Sequence, residues 1–224
     1  MALLCHAIEL EDKFGIGPHT ISFPRLEPAG NTPFVENPGH RVDDGAFKKL
    51  VTVLRLAVPY TGMILTAREN AQLRREVLPL GCTQTDASTK IDIGGYAERL
   101  DQNQPDERQQ FILGDTRSLD EFVYDLCREG YLPSFCTAGY REGRTGANFM
   151  PLAKHATVNR FCIANGILTF KEYLLDYASP RTKAVGAQVI DTYLTWIDTN
   201  VPHLAKEVRH NLEHEEQNQR DLHF

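Results

Sequence analysis

The sequence predicts an α/β fold: a few parallel strands, each followed by a helix, and then a mainly helical second half. Two observations carry this. Short apolar runs bounded by breakers alternate with segments of helical period through the first 90 residues, and helix signals dominate beyond Ser118. Three strand–helix units cannot close a barrel, so the strands form either a small open sheet or one part of a larger (β/α) barrel.

The elements follow in chain order. The opening MALLCHAIELEDKFG has no basic leader region and turns acidic early, so it does not read as a secretory signal. It predicts an amphipathic helix, with Leu3, Leu4, Ala7, Ile8 and Phe14 on one face and Glu9, Glu11 and Asp12 outside it. Gly15 to Pro18 break that helix. His19-Thr20-Ile21-Ser22-Phe23 is a first strand, stopped by Pro24, and a loop rich in Pro, Gly and Asn runs to about Gly39. Phe47, Leu50, Val51, Leu54 and Ala57 have helical spacing, closed by Pro59. Gly62-Met63-Ile64-Leu65 reads as a buried strand. Thr66 and Glu69 have capping-box spacing, which predicts a helix from there to about Leu80, ended by Gly81. Cys82-Thr83-Gln84-Thr85 is a third strand.

From about Gly94 to Gly114 the chain is polar and reads as a solvated loop. Ser118 and Glu121 form a second capping box, opening a helix through Phe122, Val123, Leu126 and Cys127 that Gly130 ends. Thr169 and Glu172 form a third, opening FKEYLLDYA before Pro180. A helix through Val189, Tyr193 and Trp196 follows, and residues 203–224 read as a charged helix or frayed tail.

Composition narrows the function classes. With 42% hydrophobic and 24% charged residues, the chain is an ordinary soluble globular protein. A net charge of −6 argues against nucleic acid as a partner, and no apolar run approaches the roughly 20 residues of a membrane helix. Cys5, Cys82, Cys127, Cys136 and Cys162 are odd in number and irregular in spacing, which points to a reducing, cytoplasmic setting. None of them forms C-x2-C or C-x3-C-x2-C.

Ligands of parallel sheets bind at the carboxyl ends of the strands. Arg25 follows the first strand, Thr66 and Arg68 the second, and Asp86 and Ser88 the third. Arg68, in a first helical turn, is either a carboxylate clamp or a solvated residue beside Glu69. Cys136 and Cys162 bound a loop rich in Gly and Arg; they read as buried apolar residues or as the ends of a loop that wraps something. His210, Glu213 and His214 spell H-x-x-E-H, the inverted zinc-peptidase motif. In so polar a stretch, with no apolar wall or evident third ligand, a solvated helix face is expected instead. Cys127 shares its helix with apolar residues and reads as core.

The runs GPHTISFPRLEPA (17–29), RLAVPYTGMILTARENAQLRREVLPLG (55–81), IGGY (93–96), GYLPSFCTAGYREGRTGANFM (130–150) and ILTFKEYLLDYA (167–178) resemble a known family. It is the HydG-type radical S-adenosylmethionine (SAM) tyrosine lyases, iron-iron hydrogenase maturases that carry a biotin and thiamin synthesis-associated domain. The thiamine-pathway tyrosine lyase shares the strand-and-Pro-Arg segment, but not the cysteine-bearing segment in this form. The resemblance implies the last strands of a radical SAM (β/α) barrel in residues 1–96 and a mainly helical, auxiliary-cluster-type domain in residues 97–224. The family cleaves the Cα–Cβ bond of tyrosine to p-cresol and dehydroglycine, the source of the carbon monoxide and cyanide used in hydrogenase maturation.

The resemblance also implies ligands. Arg68 is the expected anchor of the tyrosine carboxylate, with Thr85 or Ser88 nearby. Arg25 and Glu27 are expected on the SAM side of the cavity, and His19 at the extra iron of an auxiliary cluster. The family holds that iron–sulfur cluster on C-x2-C-x22-C; here Cys136 and Cys162 match the outer positions and Gly139 stands at the middle one. Glycine offers no ligand, which leaves a cubane with two protein thiolates. The SAM-cleaving 4Fe–4S cluster of the family needs C-x3-C-x2-C, absent from these residues. The isolated chain is therefore expected to be inactive and to require an upstream radical SAM half-protein, alongside the hydrogenase maturation factors the family serves. The rival readings are a non-catalytic iron- or amino-acid-binding scaffold and a truncated relic. The opening LLCHAIELEDKFG resembles the family's interior, so Met1 is expected to be an internal methionine, and unpaired strand edges are expected to make the chain poorly soluble alone.

Overall fold

A computed structural model describes residues 1–27, 29–30, 32–36, 38–91, 94–96, 110–135, 146–155 and 158–224, the side chains of residues 36, 146–147 and 158–160 aside. The chain forms two compact units, Met1–Ser118 and Leu119–Phe224.

In the first unit β1 (Thr20–Ser22), β2 (Gly62–Leu65) and β3 (Gln84–Thr85) form a parallel sheet in chain order. Thr20 faces Gly62, and Leu65 faces Thr85. Parallel neighbours need a crossover between them. Helix α3 (Asp44–Ala57) joins β1 to β2, and α4 (Ala71–Val77) with a 3₁₀ turn at Leu78–Leu80 joins β2 to β3. Helix α1 (Ala2–Phe14) precedes the sheet, and α2 (Pro33–Glu36) is a single turn within the first crossover. The α/β expectation holds at this level: a small parallel sheet in a largely helical chain.

Periodicity explains the core. Asp43 caps α3, its Oδ1 accepting from Ala46 N at 2.7 Å, and the 3.6-residue repeat then turns Phe47, Val51 and Leu54 onto Ile21, Met63 and Leu65 of the sheet. Leu73 and Val77 of α4 pack into the same core. Each such side chain contributes about 1.5–3 kcal/mol by leaving water. The face of α1 is narrower than expected. Its contacts with the core are made by Leu3, Leu4 and Ala7, and Glu11 accepts from the Tyr60 hydroxyl at 3.1 Å. Ile8 falls to the margin of that face and Phe14 to the helix's last residue, so both are exposed.

Two capping boxes do not act as caps. Helix α4 starts at Ala71, with Asn70 Oδ1 accepting from Leu73 N at 2.9 Å. Residues 66–70 stay a loop because distant groups hold them: Ala67 N donates to Asp86 Oδ1 at 2.7 Å, and Ala67 O accepts from Gly114 N and Asp115 N at 3.0 Å each. Arg68 therefore precedes the helix instead of lying in its first turn. Thr169 and Glu172 lie inside α7 (Val158–Asp176), where the Thr169 hydroxyl bonds back to Gly166 O at 3.4 Å. Pro180 does not end a helix; it opens α8 (Pro180–Asn200), capped by Ser179.

The sequence expectation placed a change of domain after residue 96, whereas the compact units divide after Ser118. Residues 110–118 belong with the sheet because Gly114 and Asp115 bond to the loop after β2. The second unit comprises α5 (Leu119–Arg128), α6 (Gly146–Lys154), α7, α8 and α9 (Pro202–Glu216). Its core joins Val123 and Cys127 to Ile167 and Phe170, Ile190 and Ile197, and Val208. Cys127 is a core residue, as its neighbours implied. Among the described residues no helix is long and apolar enough to cross a membrane.

Candidate functional site

The carboxyl ends of the three strands frame two adjoining cavities. The smaller, about 270 Å³, is lined by Ser22, Thr66, Arg68, Asp86, Thr89 and Phe111. The larger, about 890 Å³, is lined by Arg25, Glu27, Arg41, Asp44, Arg68 and Glu69 among others. Arg68 borders both.

The Arg68 guanidinium lies over the Phe111 ring, 3.7 Å from its centroid, and Nη1 donates to Arg25 O at 3.3 Å. Among the described residues it pairs with no carboxylate. A planar cation with one face on an aromatic ring and most of its donors open suits an incoming carboxylate.

Arg25 is differently placed. Its Nε donates to Glu69 Oε1 at 3.0 Å, Nη2 pairs with Glu69 Oε2, and Nη1 reaches Val42 O and Asp44 Oδ1 at 2.9 Å each. The guanidinium also stands 4.7 Å over the Phe47 ring. The hydrogen bond to buried Glu69 raises Arg25 further above the usual guanidinium value. Arg25 thus builds the wall of the larger cavity. Glu27 lines the same cavity; burial, helped by the Glu69 charge, pushes its carboxyl up against the pull of Arg25, Arg41 and Arg68.

The third strand supplies the support. Asp86 holds the loop before Arg68 through Ala67 N and takes the Thr89 hydroxyl at 2.5 Å. The Thr85 hydroxyl donates to Leu65 O at 2.9 Å and accepts from Arg74, so Thr85 seats Arg74. Ser88, with φ of 54°, makes the turn that follows. Arg74 is buried and pairs with Asp115 at 2.6 Å. Burial alone would raise the Asp115 carboxyl, but the Arg117 hydrogen bonds and the Arg74 charge outweigh it and hold it below the usual carboxylate range. Gly114 completes the support: a Cβ there would lie 2.3 Å from Arg68 O and 2.7 Å from Asn70 N, so only glycine lets this strap cross the Arg68 loop.

His19 lies elsewhere. It precedes β1, and its carbonyl accepts from Gly62 N at 3.0 Å, at the amino ends of the strands. Three residues of strand, about 10 Å, separate that end from the carboxyl ends where Arg68 stands. His19 and Arg68 thus stand at opposite ends of the sheet. Cys136 and Gly139 lie outside the described residues, and Cys162 is exposed on α7. Among the described residues no three His, Cys, Asp or Glu gather as a metal site, and Gly139 withholds the third thiolate. These residues do not fit an auxiliary cluster of the three-cysteine kind, nor do the chain's cysteines fit a SAM-cleaving one.

Sequence reasoning missed Phe111, Glu69 and the Arg74–Asp115 pair. The available signal was the apolar Phe111-Ile112 pair closing a polar stretch, followed at once by Gly114-Asp115.

Residues 22–132 match the Biotin and Thiamin Synthesis associated domain. Within it, the resemblance to the HydG type holds along the whole chain. The crystal structure of HydG, a maturase of the [FeFe]-hydrogenase, is 46% identical with a TM-score of 0.90, covering 100% of this chain and 47% of that one. The [FeFe]-hydrogenase maturase HydG of Carboxydothermus hydrogenoformans is 35% identical with a TM-score of 0.69, covering 94% and 43%. Two 2-iminoacetate synthases, from Escherichia coli K12 and Salmonella typhimurium, are 30% and 29% identical over 128 residues, 57% of this chain and 32% of theirs. The chain thus spans just under half the length of the solved relatives, and its match covers about a third of the curated ones.

Proposed function

We propose that this chain is the C-terminal portion of a radical SAM tyrosine lyase, its three strands the last strands of a (β/α) barrel, and Arg68 the anchor of the tyrosine carboxylate. The observation that carries the reading is the Arg68 guanidinium, seated on Phe111 between two cavities, with no carboxylate partner among the described residues. A bound amino acid would meet a fork whose plane is already set, and Ser88 stands at the adjoining turn. Arg25 and Glu27 would shape the neighbouring SAM side as walls. Cleavage of SAM belongs to a segment bearing C-x3-C-x2-C, in the same cytoplasm, and without it the chain is inactive.

Arg68→Ala is expected to weaken tyrosine binding to the purified chain by roughly 10- to 100-fold, the value of a charge-assisted pair. Binding of tyramine, which lacks the carboxylate, is expected to stay the same. Calorimetry with both ligands checks this. Equal losses for tyrosine and tyramine would mean that Arg68 acts only on the fold, and the anchor reading would fail.

A second reading rests on Gly139. With the middle thiolate of C-x2-C-x22-C missing, the chain serves as a non-catalytic amino-acid- or iron-binding scaffold in hydrogenase assembly. It then holds tyrosine through Arg68 without cleaving it.

A further inference from the structure

The H-x-x-E-H motif near the end of α9 takes no part in the reading above. As a peptidase motif it lacks a third ligand among the described residues. Its two histidines nevertheless converge. His210 and His214, one turn apart on α9, bring their Nε2 atoms to 3.0 Å, with ring centroids 4.3 Å apart and planes at 78°. We propose that His210 and His214 form a two-imidazole site for one divalent transition-metal ion of the nickel or copper class.

The spacing selects the ion. With metal–nitrogen bonds of about 2.0–2.1 Å, two nitrogens 3.0 Å apart subtend about 90–95° at the metal. That is the cis angle of square-planar or octahedral coordination and is well short of the tetrahedral one. The position favours a cation on a separate ground. The pair occupies the last two turns of α9, which ends at Glu216, and so sits at the negative pole of the helix. Exposed Glu207 lies one turn before His210 on the same helix, and Glu213 between the two histidines is exposed as well.

Without a metal, the close nitrogens are joined by a single hydrogen bond. An ion replaces that single hydrogen bond with two ligand bonds. The structure also bounds the affinity. No third protein ligand gathers among the described residues, so water fills the other positions. Among the described residues His214 Nδ1 is buried without a hydrogen-bond partner, so the proton it must carry when Nε2 binds metal lacks an acceptor there.

The test is calorimetric titration of the chain, free of any affinity tag, with Ni²⁺, repeated on His210→Asn and His214→Asn. One equivalent is expected to bind, and each variant is expected to lose about tenfold or more in affinity. The metal-free unfolding temperatures should match, showing that the substitutions leave the fold intact. The absence of binding overturns the proposal, as does binding that either variant leaves undiminished. A near-ultraviolet thiolate-to-nickel band also overturns it, because it would move the ion to a cysteine.

Discussion

Asp115→Ala destabilises the first unit by about 3–5 kcal/mol, the usual cost of removing one partner from a buried ion pair. Arg74 and Asp115 are both nearly inaccessible, their side chains 1% and 2% exposed, and 2.6 Å apart. Removing the carboxylate leaves a guanidinium inside the protein facing Thr85 and the Asp86 carbonyl, with the part-exposed Asp86 carboxylate 3.7 Å away in place of the close buried one. Asp115 also accepts from Arg117 Nε at 2.8 Å and donates its own N–H to Ala67 O. The same change therefore loosens the strap that crosses the Arg68 loop. Urea unfolding, read by hydrogen exchange over residues 62–86, measures the effect. A loss below about 1 kcal/mol would mean that the pair is solvated and that the strap does not support the site.

The second large effect has the opposite sign and lies in the other unit. Glu215 is fully buried on α9, and neither carboxyl oxygen has a hydrogen-bond partner among the described residues. Burial, with the Glu172 charge added, pushes its carboxyl up to about 8, against the pull of Arg220 and Lys171. A carboxyl raised above its unfolded value binds its proton more tightly in the folded state. The stability it allows is therefore complete below about 4.5 and falls as pH rises toward about 8. Across that window the loss is on the order of 4–5 kcal/mol at about 1.36 kcal/mol per pH unit. Glu215→Gln removes the titration. The variant should match the wild type near pH 4.5 and exceed it by several kcal/mol at pH 8.5, measured by urea unfolding followed through Trp196 fluorescence. A stability difference that does not change between those pH values would show that Glu215 reaches water or a partner.

Local pattern and distant contact account for what was legible. The bounds of β2 were readable because Gly62 to Leu65 is a short apolar run between breakers, and the seam of α3 because Phe47, Val51 and Leu54 repeat at the helical period. The strand-end rule then placed Arg68 beside a cavity. The spacing of Thr66 and Glu69 misled because a capping box is a statement about neighbours. Here Asp86 and Gly114, far along the chain, hold the backbone of residues 66–70 out of a helix. Glu69 is drawn away to Arg25, a pairing no local window contains. Thr85 was expected near the substrate from the resemblance, but the buried Arg74 that engages it could not be foreseen from a helix reading AQLRREV. Helix α6 went unread because its Gly, Asn and Pro weaken every helix signal.

The central claim is that this chain supplies the tyrosine-binding end of a lyase whose radical is generated elsewhere. The direct measurement is anaerobic p-cresol formation from tyrosine, SAM and reductant. It is made with the chain alone and with a C-x3-C-x2-C-bearing radical SAM segment, once that segment is shown to cleave SAM. The account predicts p-cresol only from the mixture, and its loss in Arg68→Ala. The chain producing p-cresol alone would contradict it, as would a mixture that cleaves SAM and binds tyrosine yet forms none.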